Sequence, residues 1–290
     1  MFGELVSVII PAYNRAHTIK RAIDSVRGQS YKNIEVIVVD DCSTDGTLEC
    51  VQKWYGDADW LLYVINDENV GAAGSRNIGV QYAHGDYIAF QDSDDEWMPD
   101  KLEYQMRLMD KSSDDVGMVY CCMERRMGEE VYDVWPPAEA PMEVKSGNML
   151  KTLLLGPVIS TQTMLFDKRA FLDCGGFNVG LKVMEDYELS VRFARTYQIG
   201  LVDKTLVTQY ESAGGVNSDL TERIITQSYI MEQGYEDMRR LGIVTEKLSR
   251  VYEEAENYGM VKEYLSCLLS SEHMEYHAYA KKKLKLLKES

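Results

Sequence analysis

Positive charge is scarce in this 290-residue chain: 31 lysines and arginines face 47 aspartates and glutamates, a formal net charge of -16. Proteins that grip nucleic acid do so with clustered Lys and Arg on phosphates, so a deficit of this size argues against DNA or RNA as a partner. Long apolar runs are missing too. No stretch approaches the roughly 20 residues that a bilayer-spanning helix needs, and Met1-Phe-Gly-Glu4 lacks the basic start of a secretory signal. The six cysteines, Cys42, Cys50, Cys121, Cys122, Cys174 and Cys267, include no CxxC pair. They read as reduced thiols of a cytoplasmic protein rather than a disulfide framework. Histidine is equally sparse: His273 and His277 share a helix face, but no third ligand accompanies them to make a metal site. With only six prolines, no repeat and no low-complexity segment, nothing suggests a long linker. The 45% of hydrophobic residues suffices for one sizeable core and a smaller appendage.

What is present is an alternation. Val6–Asn14 is an apolar strand ending in a Pro/Asn turn, and Ile19, Ala22, Ile23 and Val26 follow at helical spacing. Ile34–Asp45 repeats the pattern, with Thr47, Leu48 and Val51 opening the next helix. Further strands are expected at Leu61–Ile65, Asp86–Gln91 and Val116–Cys121. Strands alternating with helices predict a mainly parallel sheet covered on both faces, with ligands at the carboxyl ends of its strands. Polar clusters occupy those ends.

The densest of them is Asp92-Ser-Asp-Asp95, delivered by the strand that ends at Gln91. Carboxylates this close repel one another unless a cation lies between them, and hard oxygen ligands favour Mg²⁺ or Mn²⁺, which can in turn hold a diphosphate. Capping of the helix begun near Pro99 is the alternative use of these acids. Asp40, Asp41, Ser43 and Asp45 crowd an earlier strand end, where acceptors suit either a pyrimidine N–H or the cap of the following helix. Gly71-Ala-Ala-Gly74 resembles a shortened dinucleotide fingerprint, but two strand-helix units precede it, so its small residues point to close approach of this helix to a ligand or the sheet. Cys174-Gly-Gly-Phe177 suits a helix C-cap with Phe177 as a plug, or an acceptor-side turn. Glu185 and Asp186 open another amphipathic helix, where the dipole favours acids whatever else they do.

Taken in order, SVIIPAYN (Ser7–Asn14), VVDDCSTDGT (Val38–Thr47), NVGAAGSRN (Asn69–Asn77), FQDSDDEWMPD (Phe90–Asp100), GGF (Gly175–Phe177) and MEDYEL (Met184–Leu189) resemble the family 2 inverting glycosyltransferases. The resemblance covers roughly residues 1–210. It implies an α/β GT-A fold, Rossmann-like with flanking helices, and a nucleotide-sugar donor, most often UDP-linked. It places Pro11, Tyr13 and Asn14 in the nucleotide pocket, Asp41 on the base, Arg76 near the nucleotide, and Asp92, Ser93 and Asp94 as the DXD element, with Asp92 and Asp94 on Mn²⁺ or Mg²⁺. Asp186 matches the general base. Asp95 and Glu185 would orient the metal, its waters or the base. A hydroxyl acceptor on a glycan, lipid or protein is implied. Two rivals stay open: a sugar-nucleotide nucleotidyltransferase, though Pro11–Asn14 is no Gly-rich phosphate loop, and a noncatalytic nucleotide-sugar or glycan-binding module.

A boundary is expected near Ser212–Asn217, dividing a catalytic domain (1–215) from a helical region (216–290). The apolar stripes Leu248, Val251, Tyr252, Ala255 and Val261, Tyr264, Leu265, Leu268 suit packing on the catalytic domain or on one another, and also homo-oligomer formation. The basic run Lys281–Lys288 suits a solvated end or peripheral contact with anionic lipid at the inner face of a membrane. The segment Met123–Val158, with Trp135, Pro136 and Pro137, is the candidate acceptor-selecting surface.

Overall fold

The computed structural model describes residues 3–137, 139–211 and 219–289. Among them, nine strands form a single sheet: β1 (Val6–Ala12), β2 (Ile34–Asp40), β3 (Leu61–Ile65), β4 (Tyr87–Phe90), β5 (Glu96–Trp97), β6 (Val116–Met127), β7 (Glu130–Trp135), β8 (Leu165–Asp167) and β9 (Gln198–Tyr210). Their order is β3-β2-β1-β4-β8-β6-β9-β5, with β7 paired to β6. Helices α1 (Ile19–Arg27), α2 (Thr47–Tyr55), α3 (Gly71–Tyr82), α4 (Lys101–Met109), α5 (Leu150–Leu155), α6 (Lys168–Asp173) and α7 (Glu185–Phe193) intersperse the strands. After them come α8 (Leu220–Gln233), α9 (Tyr235–Arg240), α10 (Val244–Asn257), α11 (Val261–Ser270) and α12 (Met274–Glu289).

The first half is the parallel α/β unit that alternation predicts: β3, β2, β1 and β4 all run the same way. Every residue of β1 is buried, with Ile9 on one face and Val8 and Ile10 on the other, as expected of a β-branched central strand covered on both sides. Helix α3 lies close on this sheet: a Cβ on Gly79 would come within 2.5 Å of the Ile9 side chain. The approach expected of small residues is thus made at Gly79, while Gly71 supplies a φ of +76° at the helix entry. The second half mixes directions. β8 runs antiparallel to both β4 and β6, and β6 is parallel to β9. Three-residue strands such as Leu165–Asp167 carry too little periodicity to be read from sequence.

Gly175 and Gly176, at φ of +80° and +69°, end α6, and Phe177 packs edge-on against Phe90 and Phe171. The cap-and-plug reading of that motif therefore fits.

The boundary expected at Ser212–Asn217, and the division at residue 215 with it, lies outside the described residues. The helices beyond it form a wall of the same core: Leu248, Val251, Ala255, Tyr264, Leu268 and Tyr276 belong to one buried cluster with Phe90, Phe166 and Tyr187. Lys247, 1% exposed, donates across that junction to the Tyr187 hydroxyl (3.1 Å) and, among the C-terminal helices, to Gln227 Oε1 (2.9 Å). Deleting residues 219–289 would expose this surface and take the Lys247 partner from the Tyr187 hydroxyl. The truncated chain is expected to bind a hydrophobic dye and lose its cooperative melt by circular dichroism. A native-like melt would instead mark the region as a separable appendage.

Candidate functional site

The strand ends of the parallel half are knitted together before any ligand is considered. Asn14, at φ 54°, accepts the Thr44 N–H on Oδ1 (2.8 Å) and donates its own N–H to Ser43 Oγ (2.9 Å), joining the β1-α1 and β2-α2 turns. Asp40 accepts from Ser43 N–H (2.8 Å) and the Tyr63 hydroxyl (2.7 Å). Asp45 accepts from Thr47 N–H (3.1 Å) and Ala16 N–H (3.0 Å), the capping role expected of it.

Asp41 does not cap α2. It receives Asn66 Nδ2, Val70 N–H and Gly71 N–H, each at 2.8 Å, and so holds the entry of α3. A carboxylate has about four acceptor positions, which leaves one for a ligand. Replacing Asp41 with Ala strands these donors, and unfolding in urea should report a loss of about 1–3 kcal/mol. Unchanged stability would show that these contacts are not maintained in solution. Tyr13, 49% exposed, is free to face a ring, whereas Pro11 is buried within β1 opposite Val39.

The acidic loop after β4 meets the start of α7 through one side chain. Arg76, 5% exposed, donates Nη2 to Asp92 Oδ1 (2.7 Å) and Nη1 to Glu185 Oε1 (2.6 Å), while its guanidinium faces the Phe177 ring. Burial would lower its pKa, but the two carboxylates outweigh that and hold it above the ordinary arginine value. The structure thus brings Asp92, Arg76, Glu185 and Asp186 together across more than a hundred residues of chain.

Asp186 is enclosed. Its Oδ2 accepts Thr161 N–H (3.2 Å) and its Oδ1 accepts Tyr187 N–H (2.7 Å). Burial, reinforced by Glu185 and opposed by Arg76, pushes its carboxyl up to about 6. Asp94 and Asp95 are displaced in the same direction, both by burial first and then by neighbouring acids; Asp95 lies well above the usual range. Ser93 is buried beside them.

Two side chains that local pattern could not single out complete this edge. Arg15 Nη2 lies 3.3 Å from Asp94 Oδ2, and Arg21 donates to the Asp94 carbonyl while stacking on the Tyr210 ring. Nothing in a solvated-looking Asn-Arg turn, or on the polar face of α1 that carries Arg21, signals either contact.

The donor set suits Mg²⁺ or Mn²⁺. Among the described residues no group of three or more His, Cys, Asp or Glu is arranged to hold a metal. Asp92 and Asp94, with side chains 24% and 26% exposed, offer two crowded carboxylates. Such cations are commonly held by one or two carboxylates plus substrate phosphates, and one here would offset the mutual repulsion of these acids. A cavity of about 400 Å³ bordered by Leu155, Arg250 and Glu254 lies elsewhere, between α5 and α10.

The sequence model described as "Glycosyl transferase family 2" matches residues 7–175. The chain belongs to that family. It is a glycosyltransferase with a GT-A-like α/β fold and additional C-terminal helices. The matched span contains Pro11, Tyr13, Asn14, Asp41, Arg76 and Asp92–Asp95 and stops short of Glu185 and Asp186. A relative in Escherichia coli, the UDP-Glc:alpha-D-GlcNAc-diphosphoundecaprenol beta-1,3-glucosyltransferase WfaP, is 32% identical over 236 residues, covering 79% of this chain and 86% of WfaP. Against four uncharacterised rickettsial glycosyltransferases the chain spans between 40% and 69% of their length. In fold it is similar to S. aureus TarS solved with UDP-GlcNAc (TM-score 0.69, 22% identity, 91% of this chain and 79% of that one). It is also similar to the Pyrobaculum calidifontis mannosyltransferase PcManGT solved with GDP-Man and Mn²⁺ (TM-score 0.60, 20% identity, 98% of this chain and 80% of that one).

Proposed function

We propose that this family 2 glycosyltransferase moves a sugar from a UDP-linked donor to a hydroxyl of a lipid-linked glycan by a single displacement at the anomeric carbon. The observation that carries the reading is the Arg76 bridge, 2.7 Å to Asp92 and 2.6 Å to Glu185, which sets a donor-side acid loop against the half-buried Asp186. WfaP, whose name specifies a UDP-glucose donor and a diphosphoundecaprenol acceptor, supports the substrate class.

In this reading the acceptor hydroxyl attacks, its proton passes to Asp186, a new C–O bond forms and the bond to the diphosphate oxygen breaks with inversion. A positioned base of this kind is worth a factor of about 10² to 10⁴. Asp92 and Asp94 would hold Mn²⁺ or Mg²⁺, which when bound stabilises charge on the departing diphosphate. Tyr13, Asn14 and Asp41 line the base and ribose side, with Pro11 as the strand behind them. Ser93 and Asp95 shape the acid loop, and Arg76 and Glu185 set its distance from Asp186.

Because Asp186 acts as a base only when ionised, and burial pushes its carboxyl up to about 6 in the free protein, kcat/KM should fall as pH drops through about 6. An ordinary aspartate would keep its charge to about pH 4. A pH-rate profile flat down to pH 5 would count against the assignment.

No helix among the described residues is long and apolar enough to cross a membrane. Lys281, Lys282 and Lys288 are exposed on α12, and in an acidic protein this face suits peripheral contact with anionic lipid at the cytoplasmic side, where a lipid-linked acceptor is reached. Self-association through the C-terminal helices belongs to the same reading. Sedimentation at micromolar concentration tests it, and a monomer would refute it. The function is tested by incubating the protein with UDP-, GDP- and dTDP-sugars and Mn²⁺ and assaying nucleoside diphosphate. UDP release is expected, whereas formation of UTP and sugar 1-phosphate only when pyrophosphate is added would indicate nucleotidyl transfer.

A further inference from the structure

Both acidic halves of the site rest on one short turn. Thr161–Thr163 forms a single 3-10 turn whose residues are 3%, 1% and 2% exposed. The Thr161 N–H donates to Asp186 Oδ2 (3.2 Å). The next residue, Gln162, donates Nε2 to Asp95 Oδ2 (3.0 Å), and the other oxygen of Asp95 accepts the Tyr210 N–H (3.1 Å). The turn is itself pinned: Trp97 Nε1 donates to the Gln162 carbonyl (3.0 Å), Gln105 Nε2 to the Thr163 carbonyl (2.8 Å), and Ser160 Oγ to Gln162 Oε1 (2.8 Å). The amide nitrogen thus faces Asp95 and its oxygen faces the Ser160 hydroxyl.

We propose that Gln162 is a positioning residue, and that this turn fixes the separation between the Asp92–Asp95 loop and Asp186, hence between the donor's anomeric carbon and the attacking hydroxyl. The proposal rests on Asp186 being the base. Adjacent Cα atoms are held about 3.8 Å apart by the peptide bond, so contacts from residues 161 and 162 form a short, stiff connection. The other link, through Arg76, ends on Asp92, a carboxylate that a cation would share. The turn uses a backbone N–H and a neutral amide, which bound charge does not displace. A misplacement of about 1 Å at reacting atoms can cost about a hundredfold in rate.

Gln162→Met keeps volume and removes the donor. In single-turnover transfer with Mn²⁺ and the donor identified by the nucleotide-sugar screen, it should lower the rate at least tenfold while donor affinity, by calorimetry, stays within twofold. Ser160→Ala, a milder loosening of the same amide that keeps the test open should Gln162→Met fail to fold, should lower the rate about threefold with the same split. In the Asp186→Asn background, Gln162→Met should cost less than twofold more, since the two act on one step. Rates within twofold of wild type, parallel losses of rate and donor affinity, or additive effects in the cycle would each overturn the proposal. A wild-type rate in Asp186→Asn alone would overturn the base assignment, and the proposal with it.

Discussion

Asp186→Asn is expected to slow single-turnover transfer about a hundredfold or more with donor affinity unchanged. The amide occupies the same space and can still accept from either Thr161 N–H or Tyr187 N–H, though not from both, because one carboxylate oxygen becomes a donor. It cannot take a proton from the acceptor. The dipole-only account of an acid in the first turn of α7 predicts about 0.3–1 kcal/mol of stability and no change in chemistry. The two accounts therefore separate on rate. A wild-type rate at saturating donor and acceptor would move the base to Glu185 or to another acid.

Asp94→Ala is expected to abolish metal-dependent donor binding. Its side chain is a proposed cation ligand, and the neighbouring Asp95 carboxylate is already engaged by Gln162 and Tyr210 and cannot substitute without breaking those contacts. The fold itself should not suffer. Asp94 lies among like charges and gains only a partly exposed contact with Arg15, worth little, so its removal lowers the repulsion on Asp92 and Asp95. The variant is expected to melt no lower than wild type without metal. Unchanged UDP affinity in Mn²⁺, measured by calorimetry on the folded variant, would contradict the metal assignment.

What the sequence disclosed and what it hid divide along contact range. The strands β1 to β4 were legible because β-branched runs such as Ile34–Asp40 alternate with helical spacing like Ile19, Ala22, Ile23 and Val26. Asp92, Asp94 and Asp186 stood out through ordered motifs. Asp41 was legible as a polar residue at a strand end, but its partners Asn66, Val70 and Gly71 lie across a turn that no periodicity describes. Arg15, Arg21, Thr161 and Gln162 were invisible for a related reason. Each reaches the site through a contact between segments far apart in the chain, as in the 67-residue separation between Asp95 and Gln162. The antiparallel half was obscured by short strands, β5 being Glu96–Trp97 alone. The C-terminal helices were read correctly as amphipathic; what pattern could not give was the surface they cover, which includes Tyr187 immediately beside Asp186.

A single displacement assisted by a base has a stereochemical signature, and the anomeric configuration of the released sugar is the most direct test of the account. The enzyme, Mn²⁺ and an α-linked UDP-sugar, followed by proton NMR during slow donor hydrolysis and before mutarotation, should yield the β-anomer first. Asp186→Asn should release almost none. The α-anomer appearing first from the wild-type enzyme, or inverted sugar released equally fast by Asp186→Asn, would contradict it.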